Sequence, residues 1–387
     1  MRILHTADWH AGRTLHGADR TPEVRAALEE LADIALEGRV DAVVVSGDVY
    51  DSRNPSAAAE DAVYDFFLRT GAAGIPSVVI AGNHDSPARF DAVSKVLELA
   101  KVRTVGTFRP AGQGGLVELE LEAGRLKVAA LPFLSERRMI DADALLSTDL
   151  GTQRDSYRQV MRKLVNNLTA GFDHRSVNLL AMHTTFEGAT LANSEYAFHC
   201  TSSYTVPPSI VPDSASYAAL GHIHKPQAIE GLPENKARYV GSPLQLDFGE
   251  VGDAKFALIV EAEPGKPSRV TEVPLSAGRR LFRVKVTEDE LDERMDEIAE
   301  LDGWLKLVID LERMRPSLKE RLQQNLPNLL TVEQVLPGES SEELEKIDLN
   351  ALSLVDAYRT YLEEEKGMEK PEELVALFQT LHDEVSA

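Results

Sequence analysis

The sequence predicts an α/β protein built on parallel strands, followed by a smaller α+β unit and a helical C-terminal tail. Three observations carry that expectation. Apolar strand-like runs alternate with helical stretches through the first hundred residues, the pattern of βαβ units. Clusters of Asp, Asn and His follow the apolar runs directly, at strand ends where a rigid scaffold presents chemistry. The last third changes character, first to a short alternating pattern bounded by Pro337-Gly338-Glu339-Ser340-Ser341 and then to an acidic helical stretch.

Taken in order, residues 3–6 read as a strand and 22–37 as a helix with Pro22 in its first turn. Asp41-Ala42-Val43-Val44-Val45-Ser46 reads as a buried strand, 57–69 as a helix, 77–81 as a strand and 88–100 as a helix. Right-handed crossovers place the three strand ends on one edge, where open α/β sheets bind ligands. Asp8, Asp48 and Asn83 each lie just past such a strand. The middle is richer in strands. Residues 116–121 and 126–131 flank a hairpin signal, Glu122-Ala123-Gly124-Arg125, and 155–170 reads as a helix. Strand 178–182 ends at His183, and strand 217–220 ends at Gly221-His222-Ile223-His224; 238–240, 256–261 and 270–273 add further strands.

A smaller β-α-β-α-β unit follows. Strand 281–286 leads into the capping box Thr287-Glu288-Asp289-Glu290, which opens a helix to about residue 300. Strand 304–311, helix 316–324 and strand 329–335 complete it. The tail holds two amphipathic helices, one with Val355, Tyr358 and Leu362 on a face, the other with Leu374, Leu377, Phe378 and Leu381. The expected divisions are 1–275, 280–337 and 345–387.

Composition narrows the function. A chain of 387 residues can bury a core that needs no covalent staples. A single cysteine, Cys200, excludes an internal disulfide framework and a thiolate metal site, and suits a reducing cytosol. The start, Met1-Arg2-Ile3-Leu4-His5, enters a short strand and meets Asp8, so no signal peptide is expected. No apolar run approaches the roughly 20 residues that span a bilayer. The formal net charge of −22 weighs against tight nucleic-acid binding by this chain alone, because phosphate affinity comes from Lys and Arg. The acid is uneven, however. From Ser341 onward thirteen Asp or Glu stand against four Lys or Arg, a net of −9, so a local basic groove can coexist with the total.

Five clusters carry chemistry: Asp8-Trp9-His10, Gly47-Asp48, Gly82-Asn83-His84-Asp85, His183 and Gly221-His222-Ile223-His224. Polar groups of this density at the ends of buried strands need partners, and they supply each other poorly without metals. Carboxylates, imidazoles and an amide without thiolate suit Mn, Fe or Zn, and are too nitrogen-rich for Mg or Ca. Shared between two divalent ions and a hydroxide, such a set keeps roughly one positive charge and attracts an anion. Ions about 3.5–4 Å apart then stabilise the attacking and leaving oxygens of an in-line phosphoryl displacement.

Asp-x-His, Gly-Asp, Gly-Asn-His-Asp, a lone His and Gly-His-x-His, in that order, resemble the calcineurin-like metallophosphoesterases over roughly residues 1–271. Longer runs, His5-Thr6-Ala7-Asp8-Trp9-His10, Gly82-Asn83-His84-Asp85-Ser86, Leu220-Gly221-His222-Ile223-His224-Lys225-Pro226-Gln227 and Tyr239-Val240-Gly241-Ser242-Pro243, are similar to the bacterial SbcD family. These are the nuclease subunits of the SbcCD DNA-end-processing complex. The C-terminal third matches by layout alone.

The resemblance implies a four-layer αββα sandwich, a capping domain, and a tail that docks an SbcC-like SMC-family ATPase. It implies a homodimer with two Mn²⁺ per site, Fe or Zn being substitutes. The activity would be a 3′–5′ exonuclease on duplex ends and an endonuclease on single strands and hairpins, working in the cytoplasm at the nucleoid. Asp8, His10, Asp48 and His224 would hold the first metal. Asp48 would bridge to the second, completed by Asn83, His183 and His222. His84 would sit over the phosphate as the catalytic group, with Asp85 orienting it. No Gly-x-x-x-x-Gly-Lys-Ser/Thr occurs, so any ATP is hydrolysed by the partner. Tyr50 stands where the family more often has Phe, a change expected to affect packing, not ligation.

Gly82 is expected to let the backbone turn tightly. His5 is expected to pack under the sheet. Arg13, His16, Arg53 and Lys225 are candidate contacts to DNA phosphate, each with a solvated surface as the plainer reading. His199-Cys200 offers two donors, which make no metal site. Two other functions stay open: the same metals acting on a non-DNA phosphodiester or a phosphoprotein, and a non-enzymatic scaffold for DNA ends.

Overall fold

Four strands wound in one direction set up the molecule. The computed structural model describes residues 1–135, 156–191 and 205–336, with 374–375 and 377–378 of the tail. β1 (Arg2–Thr6) passes through a small hairpin of β2 (Thr14–Leu15) and β3 (Ala18–Asp19) into α1 (Thr21–Glu37). β4 (Ala42–Ser46), α2 (Ala57–Ala72), β5 (Ser77–Ile80), α3 (Pro87–Leu97) and β6 (Val102–Val105) complete the winding. Ser56 and Ser86 cap α2 and α3 by accepting the N–H groups of Ala59 and Arg89. Pairing is parallel in the order β1-β4-β5-β6, so every crossover moves the same way. With one hand of crossover, all three helices fall on one face. There Val43, Val45 and Val79 pack against Leu28, Leu31, Phe66 and Phe67.

The other face meets a second sheet. β7 (Leu116–Leu121) and β8 (Gly124–Leu131) form the expected hairpin; α4 (Ser156–Thr169) and β9 (Val177–His183) follow. β10 (Thr185–Phe186) and β11 (Thr205–Val206) make a small parallel pair. β12 (Tyr217–Gly221), β13 (Gln227–Ala228) and β14 (Ala237–Tyr239) finish a sheet of order β13-β14-β12-β9-β8-β7. β15 (Phe256–Glu261) and β16 (Arg269–Pro274) then return to the first sheet, β15 lying antiparallel to β1. Between the sheets, Ile3, Val44, Val78 and Ile80 share a core with Val128, Ala130, Leu179 and Tyr217. Leu180, Met182 and Leu220 pack outward with Val160, Leu164 and Leu168 of α4. The architecture is the expected four-layer αββα sandwich. Its central strands are buried on both faces and therefore read as unbroken apolar runs.

The smaller unit is a three-stranded parallel sheet of β17 (Arg280–Thr287), β18 (Gly303–Asp310) and β19 (Leu329–Val335), with β18 central. α5 (Glu288–Glu293), α6 (Met295–Ala299) and α7 (Leu318–Leu322) cover one face, where Ile298, Leu305, Leu307, Ile309, Leu322 and Leu329 form a separate core. The reciprocal capping box of Thr287 and Glu290 is present. The single helix expected to residue 300 is instead two, broken at Arg294, and α7 is shorter than expected at both ends, with Ser317 in a left-handed conformation before it. The linker into this unit is fastened to α1. Glu30 accepts the backbone N–H groups of Ser276 and Ala277 at 2.9 and 2.8 Å, and Glu23 accepts those of Arg279 and of the Trp304 indole. The Arg279 guanidinium lies 4.7 Å over the Trp304 ring. Leu15, Phe248, Leu281 and Leu330 close a small apolar cluster between this unit and the sandwich.

Among the described residues no helix is long and apolar enough to cross a membrane. The two tail helices fall outside the described residues except for helical Leu374, Val375, Leu377 and Phe378, and the His199-Cys200 pair falls outside them entirely.

Candidate metal centre

The loops after β1, β4 and β5 meet the ends of β9 and β12 at one edge of the sandwich. This convergence brings all seven expected donors together. Oxygen and nitrogen atoms of Asp8, His10 and His224 lie within 4.8 Å of one another, as do those of Asp48, His183 and His222. Asp48 stands between the two groups: its Oδ2 is 3.2 Å from His183 Nε2 and 3.8 Å from His10 Nε2. Asn83 Oδ1 lies 3.0 Å from His183 Nε2 and 2.9 Å from His222 Nδ1. The backbone of the site is strained. Asp8, His10, Asp48 and His222 all hold positive φ angles, between 47° and 100°, which L residues other than glycine seldom adopt.

Outer partners aim the rings. His10 Nδ1 is 3.0 Å from Asp51 Oδ1, and His183 Nδ1 is 2.8 Å from the Ser46 carbonyl. His224 Nδ1 faces Glu250 Oε1 at 3.6 Å. Each contact favours a proton on Nδ1, which in the neutral ring leaves the Nε2 lone pair pointing inward. Asp8 accepts the His222 backbone N–H at 3.0 Å, which ties the end of β12 to the end of β1.

The electrostatics ask for cations. Asp8 and Asp48 are 0 % and 1 % exposed. Burial pushes Asp8 up to about 7. Burial also opposes charge on Asp48, but His183, His10 and His84 together outweigh it and hold that carboxyl well below the usual range. Burial alone would lower His183; the Asp48 carboxylate instead raises it to about 9. Burial takes His10 down to about 4, so its ring is neutral at pH 7 and able to ligate. Most telling, His10 Nε2 and His224 Nε2 face each other at 3.2 Å while both Nδ1 atoms are turned to carboxylates. Two imidazole nitrogens this close in a buried site suit a shared cation, so the donor set fits metal ions.

The other expected residues fall as follows. His84 is half-buried, its backbone N–H bonded to Asp48 Oδ1 at 2.9 Å and its Nδ1 2.9 Å from the Asp51 carbonyl. The expectation that Asp85 orients His84 is corrected: the Asp51 carbonyl holds the ring. Asp85 is buried and accepts the backbone N–H groups of Gly82, Tyr50 and Val49 at 2.8, 3.0 and 3.2 Å. It staples the β4 and β5 loops together. Gly82 leads into the bend over Asn83–Asp85 without a positive φ. A Cβ there would stand 2.1 Å from Asp48 Oδ1, so glycine is required by close approach.

Arg13 donates to Asp51 at 3.1 Å and so braces the support of His10. His16 is exposed beside Phe248, Arg53 is exposed, and Lys225 is half-buried. Tyr50 is buried and reaches Tyr64, a packing role as expected. His5 packs between the sheets, 3.0 Å from the Tyr217 hydroxyl and 3.2 Å from Ser46 Oγ, with burial lowering it to about 3. Sequence reasoning missed Asp51, Ser46 and Glu250. Only Asp51 had a signal, its place three residues past Asp48.

The fold and the two donor groups fit a metallophosphoesterase of the sandwich type, and the calcineurin-like phosphoesterase family model matches residues 1–226. SbcD of Bacillus subtilis (strain 168), part of the SbcCD nuclease, is 35% identical over 385 residues, 98% of this chain and 97% of that protein. The proteins of the same name are 34% identical in Rhodobacter capsulatus, over 71% of this chain and 69% of that protein, and 29% identical in Escherichia coli K12, over 90% and 87%. The chain belongs to the SbcD family of calcineurin-like phosphoesterases.

Proposed function

We propose that this chain is the nuclease subunit of a DNA double-strand-break end-processing complex, hydrolysing phosphodiesters with two Mn²⁺ ions. The observation that supports it best is the placement of Asp48 between the Asp8–His10–His224 and Asp48–His183–His222 groups. Asp8, His10, Asp48 and His224 would hold one ion; Asp48, Asn83, His183 and His222 would hold the other. When bound, the ions supply Lewis-acid polarisation of the phosphoryl group and activation of water. The protein supplies the rest. Asp51, Ser46 and Glu250 keep ring nitrogens facing inward, and buried strands exclude bulk water from behind. His84, anchored through Nδ1 to the Asp51 carbonyl, carries a second proton on Nε2 when protonated, available to the phosphate or the leaving oxygen.

On the same reading the chain cuts duplex ends 3′–5′ and single strands or hairpins endonucleolytically. Residues 280–337 form a capping domain, residues 345–387 dock a coiled-coil ATPase, and the chain pairs as a homodimer at the nucleoid. The apolar cluster of Leu15, Phe248, Leu281 and Leu330, which seats the smaller unit on the sandwich beside His16, supports the capping role. Arg53 and Lys225 are the cations we assign to the DNA path. The test is to incubate the purified chain with Mn²⁺ and labelled hairpin or linear duplex DNA, with and without the ATPase partner. Cleavage of DNA is the expected result. Hydrolysis of bis-p-nitrophenyl phosphate but never of DNA would transfer the function to another phosphodiester or a phosphoprotein. Two bound ions with no hydrolysis would leave a scaffold.

A further inference from the structure

One buried ion pair beside the metal centre is not among the seven donors. Glu250 ends the 3₁₀ turn Phe248–Glu250 and is 0 % exposed; Lys255 is 7 % exposed. The Lys255 ammonium has three protons and three acceptors: Glu250 Oε2 at 2.6 Å, Ser242 Oγ at 2.9 Å and the His224 carbonyl at 3.1 Å. Glu250 Oε2 also accepts the Leu246 N–H at 3.1 Å, and Oε1 stands 3.6 Å from His224 Nδ1. One histidine is therefore addressed twice, through its ring by a carboxylate and through its carbonyl by an ammonium. The neighbouring Tyr239-Val240-Gly241-Ser242-Pro243 run makes room for this. A Cβ at Gly241 would lie 2.5 Å from the His224 carbonyl oxygen, and Ser242 supplies the third acceptor.

Stability alone is a poor reason for such a pair, because removing two charges from water offsets most of their attraction. Apolar side chains of similar volume would fill the space as well. They would not set the ring proton or hold the carbonyl. At 3.6 Å Glu250 acts by charge, favouring a proton on Nδ1. His183 differs, because its Nδ1 is backed by the neutral Ser46 carbonyl.

We infer that Glu250 and Lys255 are a positioning pair for His224, fixing its main chain and its tautomer so that Nε2 is presented beside Asp8 and His10. The pair acts on that group of donors and leaves the Asp48–His183–His222 group to its own supports. The inference rests on the metal-centre reading above.

The test uses the full-length chain with Glu250→Gln combined with Lys255→Met, which keeps volume and leaves no lone charge buried. Mn²⁺ titration followed by electron paramagnetic resonance should show two ions in the parent chain. In the double variant one ion weakens by about 10–100-fold, as loss of an outer partner does, and the other is unchanged. Unchanged affinity for both ions, or equal weakening of both, overturns the assignment. A second measurement needs no metal. Imidazole ¹⁵N–¹H spectra of the metal-free chain should show His224 protonated on Nδ1, and Glu250→Gln alone should lose that preference. An unaltered tautomer in Glu250→Gln overturns the assignment even where the double variant does not fold. If the parent chain binds no second ion, the two-metal reading fails, and the tautomer result still decides the role of the pair.

Discussion

Replacing Gly82 with alanine tests whether the loops of the centre are locked at close contact. The backbone there is conformationally ordinary, so the whole effect comes from the added methyl. That methyl would stand 2.1 Å from Asp48 Oδ1 and 2.4 Å from the Asp48 nitrogen. Ordinary contact begins near 3.4 Å, so something must move by roughly 1.3 Å. The loop cannot simply retreat. Gly82 donates to Asp85 at 2.8 Å, and His84 donates to Asp48 Oδ1 at 2.9 Å. Either Asp48 or Asn83 is displaced. Overpacking of this kind costs about 1–3 kcal/mol, and a misplacement of about 1 Å at a reacting centre costs on the order of 100-fold in rate. Hydrolysis of bis-p-nitrophenyl phosphate at saturating Mn²⁺, paired with thermal melts of the metal-free chain, should show both losses. A Gly82→Ala chain that binds two ions and turns over near the parent rate would refute the close-contact reasoning.

Asp85→Asn should destabilise by roughly 3 kcal/mol or more, because three backbone N–H groups meet its carboxylate and each bond to a charged acceptor contributes about 1.5–3 kcal/mol. Urea denaturation checks it, and a loss below about 1 kcal/mol would contradict the stapling role. His84→Ala should abolish hydrolysis while retaining both ions in a Mn²⁺ titration; full activity would remove His84 from the chemistry. Asp48→Ala should lose ion binding and activity together, since that carboxylate faces both groups. Chelation should lower the melting temperature, each ion at a hundred times its dissociation constant being worth about 2.7 kcal/mol. Mn²⁺ should restore activity and Ca²⁺ should not.

Much of the candidate site was legible because its side chains sit in short clusters after apolar runs, and a strand end is a local signal. Asp8, Asp48, Asn83, His183, His222 and His224 all announced themselves this way. The supports did not. Glu250 and Lys255 lie in polar loop sequence with no spacing to mark them, and reach His224 only after β15 has returned to the first sheet. That return is a long-range pairing, invisible to periodicity. The close contact at Gly82 was not legible, because a glycine at a strand end looks the same whether it only eases a turn or also makes room. Asp85 looked like a partner for His84 because it is adjacent in sequence, whereas its carboxylate points back at three main-chain amides. The break at Arg294 shows the reverse error, a strong capping box at Thr287 suggesting more helix than forms.

Asp8, His10, Asp48 and Asn83 come from one sheet, while His183, His222 and His224 come from the other. The thickness of the sandwich therefore works as a caliper for the distance between donors. Ser46 makes the link material: its hydroxyl contacts His5 and the Ala219 carbonyl across the core, and its own carbonyl backs His183. A bulky substitution among Val44, Val128 or Leu179, far from any reacting atom, would spread the jaws and register as a catalytic defect. Thermal adaptation of such a chain is accordingly freer in the two outer layers of helices than in the layer between the sheets.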